Sequence, residues 1–296
     1  MTAVLEVALA ALTQFGLFAL LTLSLALVFG VSRVVNLAVG DLAAVGAYAM
    51  IITTGLPFVV RIVVVLLAVA PACYVLQRGL LSRIHDGLAG MLVTWGIGMA
   101  IRQLFEVFYT STPRSVPVPV EGAVPVLGAV YPTYRLVIAG VSLLVVVALL
   151  VLAHRTRAGL RLRAVSDNAD MAALLGTNPT RMRAATFAVA GLLAVLAGAL
   201  YSPLLGVSPS MGFALLVPGF VALLLARPGS FRGAVLAVGL VVVLQVVLRR
   251  LFTDTVADSF FYVVVLVAVV VRANPHIRRF TSWFVRPVLT LRGRPA

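Results

Sequence analysis

The chain has 296 residues, of which 62% are hydrophobic and 11% charged, with a formal net charge of +14. Soluble domains carry about 25% charged residues, so a water-soluble globule is excluded; the long apolar runs without strand-period alternation also exclude an outer-membrane barrel. A positive charge of this size would suggest nucleic acid in a soluble protein, but the chain has Arg and no Lys, and most of the Arg lie in loops between apolar runs, as on the inner face of a membrane protein. The composition therefore predicts an all-α polytopic transmembrane bundle with lipid, not nucleic acid, around it.

A span needs about 20 apolar residues. Runs of this kind cover 7–31, 35–54, 57–77, 87–108, 136–153, 184–206, 212–226, 234–251 and 259–272, giving eight to nine spans. The start, "MTAVLEVALAALTQFGLFAL", has no basic n-region and carries Glu6, so it reads as a first span and not as a cleaved leader. The second and seventh runs fit least well. The second is rich in Gly and Ala and holds Asn36 and Asp41; the seventh is short and contains Pro218. The Pro- and Gly-rich loop 109–135 predicts extended structure or a short hairpin. Residues 1–272 form the membrane domain, with a polar loop at 154–183. Residues 273–296 form a basic tail whose Arg, Trp283 and Phe284 suit a membrane surface.

Placing the 154–183 loop in the cytoplasm puts Arg33, Arg78, Arg83, the Arg of that loop, Arg227, Arg232 and the Arg of the tail on the same side. Arg61, Arg114, Arg135, Arg249 and Arg250 fall on the other. This asymmetry predicts an outside N-terminus and a cytoplasmic C-terminus.

Polar groups within lipid are costly, so each is a functional candidate. In "NLAVGDLAAVGAYA", Asn36, Gly40, Asp41 and Gly46 are candidates for a translocation pathway, because glycines allow close approach of a helix or solute and permit a broken helix at membrane depth. Tight packing, with Asp41 near the interface, is the other reading. Arg102 and Glu106, at i and i+4, are expected to pair. Gln14 and Gln245 suit interhelical hydrogen bonds, and Gly191, Ala194, Ala197 and Gly198 a close helix contact. No catalytic constellation emerges. Cys73 stands alone and His85, His154 and His276 are scattered, so no metal site is expected. A P-loop needs a Lys, so the chain is not expected to bind ATP in that way or to need a cofactor of its own.

The segment "HRTRAGLRLRAVSDNADMAALLGTNPTRMRAATF" spells a short capped helix. Asp167 suits an N-cap, Asp170 the first turn, Ala172, Ala173, Leu174 and Leu175 the helix body, and Gly176 the C-terminal glycine. Asn178-Pro179 opens the next helix. Two turns are marginal alone in water. The stripe Met171, Leu174 and Leu175 therefore predicts docking, either onto the chain's own spans or into a groove of a cytoplasmic partner.

These residues resemble the permease subunits of branched-chain amino acid ABC transporters. The likeness lies in "RTRAGLRLRAVSDNADMAALLGTNPTRMRAATFAVAGLLAVLAGAL", "VSPSMGF", "GSFRGAVL" and "NLAVGDLAAVGAYA". The chain departs from the family at Val39, where His is frequent, and at Arg227-Pro228. "LVTWGIGMAIRQ" and "LRAVSDNADMAA" are similar to the urea and short-chain amide branch. The resemblance implies a bacterial inner-membrane permease with a second, related permease, two cytoplasmic ATPases that bind the ATP, and a periplasmic or lipid-anchored binding protein. It makes Asp167, Asn168, Asp170, Met171, Ala172, Ala173, Leu174, Leu175 and Gly176 an ATPase-coupling helix. A stand-alone secondary transporter would want more intramembrane carboxylates than Asp41 and Glu106. A membrane enzyme would need a polar cluster that the sequence lacks.

Overall fold

The computed structural model describes residues 2–84, 86–109, 112–126, 129–226 and 229–273. The chain divides into two compact units, residues 1–242 and 243–296. Each of the nine apolar runs is a helix. Among the described residues, six helices are long and apolar enough to cross a membrane, and three more are apolar but shorter. The all-α polytopic bundle expected from composition is thus the fold of this multi-pass membrane protein.

Two helices form the centre of the first unit. In α1 (Thr2–Ser32) and α8 (Pro179–Tyr201), the most apolar windows are 83% and 78% buried, against 17% in both α3 (Phe58–Gly79) and α4 (Gly87–Tyr109). Small residues let α1 and α8 pack closely, and hydroxyls fix their register. Tyr201 donates to the carbonyl of Thr13 at 2.8 Å, and Ser24 donates to that of Ala190 at 2.7 Å. These pairings run in opposite directions along the two chains, so the helices are antiparallel.

The second and seventh apolar runs are short for a physical reason. At 1.5 Å per residue, α2 (Val39–Ile52) and α9 (Met211–Leu225) reach about 21 and 22 Å, less than a hydrocarbon core of about 30 Å. Each follows an irregular segment, Arg33–Ala38 and Ser202–Ser210 respectively. The first segment bends sharply at Arg33, whose φ is +55°. The second is pinned by mutual backbone hydrogen bonds between Arg114 and Val207, both 2.9 Å. The N-terminal ends of the two short helices meet. A Cβ on Gly40 would fall on the carbonyl of Gly212. Each of the two short helices thus begins after an irregular segment, and the two meet at paired glycines.

Helix α2 also packs along α8, where a Cβ on Gly46 or Gly198 would fall on the carbonyl of Val195 or Ala43. The small-residue stripe of α8 is a close helix contact, as its sequence predicts. The loop after α4 holds the expected hairpin. Strands β1 (Ala123–Val126) and β2 (Ala129–Pro132) pair antiparallel, with Ala123 opposite Pro132. Helix α5 (Thr133–Arg155) then leads into the polar segment.

Helix α10 (Phe231–Leu251) ends in the second unit, which continues with α11 (Asp254–Ala273). Within that unit Phe252 stacks on Phe260 at 5.0 Å, and Arg249 pairs with Asp258 at 3.1 Å. The basic tail beyond Ala273 lies outside the described residues.

Candidate functional site

The polar segment folds into two helices where one is expected. α6 (Arg157–Asp167) begins at Thr156, whose hydroxyl accepts from the Gly159 amide at 3.1 Å. It buries Leu162 and Val165. The sequence held this signal in the cap and in the apolar spacing, beneath the Arg-rich surface. α6 runs through Asp167, with the Asn168 amide bonded to the carbonyl of Ala164. Asp167 is therefore the last residue of α6, and the cap of the docking helix passes to Asn168. Asn168 has extended backbone, φ −151°, and its Oδ1 accepts from the Met171 amide at 3.0 Å.

The helix expected to dock, α7 (Ala169–Leu174), is closed by Gly176 with φ +81°. The Thr177 amide reaches the carbonyl of Ala172 at 2.9 Å, and the Gly176 amide reaches that of Ala173 at 3.0 Å. This is a Schellman closure, which explains the glycine. Asn178 caps α8 through the Arg181 amide at 3.0 Å, and Pro179 opens that helix. Ala172 is buried and seats α7. Met171, Leu174 and Leu175 are 55%, 82% and 79% exposed. The stripe does not pack onto the chain's own spans, so Leu174 and Leu175 remain free to meet another surface.

Helix α6 is tied to the end of α1. Ser166 Oγ donates to the carbonyl of Gly30 at 2.5 Å, and Arg33 donates back to the carbonyl of Ser166 at 3.2 Å. The segment that follows Arg33 lines a cavity of about 350 Å³ between α1, α3, α4 and α8. Asn36 lies in its wall, 1% exposed. Asn36 Oδ1 accepts from the Ala38 amide at 3.1 Å, while its Nδ2 has no partner. The Leu37 amide donates to Thr94 Oγ1 at 3.2 Å. Irregular backbone in a membrane protein is tolerated where it lines a cavity or is covered by protein, and Asn36 meets both conditions.

At the junction of α2 and α9, the carboxylate of Asp41 is buried between α4 and α9. Arg102 Nη2 meets it at 3.1 and 3.4 Å. The guanidinium carbon also lies 5.9 Å from the centre of the Phe213 ring. The expected Arg102–Glu106 pair gives way to this one. An i, i+4 pair on a helix surface contributes about 0.3–0.5 kcal/mol, whereas leaving a buried charge unpaired costs about 3–5 kcal/mol. Of the four pathway candidates, Asn36 lines the cavity and Gly40 and Asp41 form the junction. Gly46 sits apart, against α8.

Among the described residues no group of three His, Cys, Asp or Glu side chains is placed to hold a metal ion. The geometry brings together two short helices that each follow an irregular segment, a cavity beside one of them, and a capped helix, α7, that follows α6, which is bonded to the end of α1.

This is the architecture of a multi-pass helical membrane protein. Residues 7–270 match the family described as "Branched-chain amino acid transport system / permease component", and the chain belongs to that family. It is 28% identical to the high-affinity branched-chain amino acid transport system permease protein LivH of Escherichia coli K12, over 80% of this chain and 83% of the relative. It is 26% identical to the corresponding protein BraD of Pseudomonas aeruginosa, over 76% of this chain and 80% of the relative. No solved structure matches at a significant level.

Proposed function

We propose that this chain is the permease subunit of an ATP-driven ABC importer for branched-chain amino acids. The observation that carries the coupling role is α7, a capped helix whose Leu174 and Leu175 are 82% and 79% exposed. A helix this short persists through its caps and its contacts, and its free apolar edge suits a groove in a partner. The partners are two cytoplasmic ATPases, which hold and hydrolyse the ATP, a second related permease, and an external binding protein that delivers the solute. The membrane is the bacterial inner membrane. The positive-inside asymmetry supports an orientation with the Arg33 and α7 end in the cytoplasm and the N-terminus outside.

Closure of the ATPases displaces α7 and α6. The Ser166–Gly30 and Arg33–Ser166 hydrogen bonds carry that displacement to the break before α2. The segment Arg33–Ala38 and the Gly40–Gly212 junction then shift between two arrangements, and solute passes. This is coupling between two sites through an element with two states. The names of the relatives support branched-chain amino acids over urea or short amides as the solute. Reconstitution of the chain with its ATPases, second permease and binding protein tests the reading. ATP-dependent leucine uptake supports it, whereas uptake by this chain alone driven by an ion gradient overturns it.

A further inference from the structure

We propose that the groove between α1, α5, α6 and α8 holds an acyl chain of an anionic phospholipid, with the headgroup against Arg155, Arg161 and Arg181. The inference concerns the bilayer around the chain and depends neither on the solute nor on the importer reading. The groove encloses about 140 Å³, below the range of about 300–1,000 Å³ typical of small-molecule sites. That volume suits a stretch of one narrow chain whose remainder continues into the surrounding hydrocarbon.

The lining sets the chemistry of the occupant. Leu27, Leu149 and Leu162 form a buried apolar floor. Gly159 allows α6 to close against the end of α5, because a Cβ there would fall on the carbonyl of Ala153. Thr186 carries the only polar side chain on the lining, and its hydroxyl already donates to the Met182 carbonyl at 2.8 Å. A peptide or a polar solute finds no free side-chain partner in this groove, and burying its polar groups there costs free energy. Hydrocarbon meets no such cost.

The open rim selects the kind of lipid. The exposed residues of the lining are Leu152 on α5, Ala158 on α6, and Ala185 and Val189 on α8. An arginine stands one helical turn from each rim. Arg155 is at i+3 from Leu152, Arg161 at i+3 from Ala158, and Arg181 at i−4 from Ala185, so each shares a helix face with its rim residue. All three are exposed, and none is paired with a carboxylate among the described residues. Residues 154–166 hold four Arg and no acidic residue. Away from the arginines, the exposed face of α5 continues through Val151, Val147 and Leu144, an apolar surface suited to lipid. The groove thus opens on hydrocarbon along its side and on unpaired guanidinium groups at one end. Basic pockets between membrane helices recruit anionic headgroups, and guanidinium matches phosphate geometry. A zwitterionic lipid brings the same chain but no net charge to complement the three arginines.

The test uses the full chain, with the subunits that accompany it, in nanodiscs of dioleoyl phosphatidylcholine. A trace of phosphatidylglycerol bearing a photoreactive diazirine in one acyl chain is added, and phosphatidylcholine with the same photoreactive chain is the comparison. After irradiation, mass spectrometry of peptides locates the adducts. The phosphatidylglycerol probe is expected to label the groove walls at 149–153 and 182–189 and to exceed the phosphatidylcholine probe there. Arg161→Gln and Arg181→Gln, changes at exposed positions, are each expected to cut that labelling about fivefold, the scale for one Arg beside an anionic lipid surface, and to leave the phosphatidylcholine probe unchanged. Arg78→Gln, exposed and off the lining, is expected to change neither. Ala185→Phe fills the groove and is expected to displace both probes from it. Equal labelling of these walls by the two probes means unselective lipid contact and overturns the proposal. So does an absence of adducts there, which means that another subunit covers the groove, or an equal loss in Arg78→Gln.

Discussion

Arg33 and Ser166 hold one another between the end of α1 and helix α6. Arg33 donates to the Ser166 carbonyl at 3.2 Å, and the Ser166 hydroxyl donates to Gly30, three residues before Arg33, at 2.5 Å. Arg33 also has φ +55°, a left-handed conformation that costs a non-glycine residue about 1–3 kcal/mol. That strain is retained where α1 ends and the cavity-lining segment begins.

Ser166→Ala removes the hydroxyl link but keeps the backbone of α6. Loss of one hydrogen bond of about 1 kcal/mol corresponds to about a fivefold change in an equilibrium. ATP-driven uptake is expected to fall on that scale while ATPase subunits still co-purify. Unchanged uptake would remove this joint from the coupling route.

The Asp41–Arg102 pair makes a prediction about stability. Arg102→Met leaves the Asp41 carboxylate buried without its partner and is expected to destabilise the protein by about 3–5 kcal/mol. The double variant with Asp41→Asn removes the charge as well and is expected to recover most of that loss. Thermal unfolding in detergent reads both, and additive losses would contradict the pairing.

Helix contacts through glycine are equally specific. Gly198→Ala places a Cβ on the carbonyl of Ala43, whereas the same change at Gly140 meets nothing within 4 Å. The first is expected to cost about 1–3 kcal/mol, as overpacking does, and to lower the melting temperature. The second is expected to be neutral or slightly stabilising, because Ala is the better helix former.

Capping separates two adjacent residues. Asn168→Ala is expected to cost the start of α7 about 0.5–2 kcal/mol, seen as faster hydrogen exchange at the Met171 amide. Asp167→Ala, at the last residue of α6, is expected to leave that amide unchanged. The opposite pattern would return the cap to Asp167.

Much of this architecture was legible in the sequence, because apolar run length decides where helices can cross lipid. All nine runs are helical, and Gly176, Asn178 and Pro179 play the parts their chemistry predicts. The misreadings came from contacts that sequence spacing does not record. Arg102 has Glu106 one turn away, yet the bundle presents it with Asp41, 61 residues distant in the chain. Asp167 and Asn168 are both good caps, and the choice between them depends on where α6 stops. The cavity was hidden for the same reason: Asn36, Gln77, Thr94 and Arg183 come from four separate parts of the chain and show no common motif.

The central claim is that α7 docks on an ATPase through its exposed edge, and Leu174→Asp tests it most directly. Leu174 is 82% exposed, so the folded chain is expected to keep its melting temperature. In proteoliposomes containing the complete assembly, the variant is expected to lose ATPase subunits and ATP-driven leucine uptake together. Retention of both at native levels would contradict the coupling role of this helix.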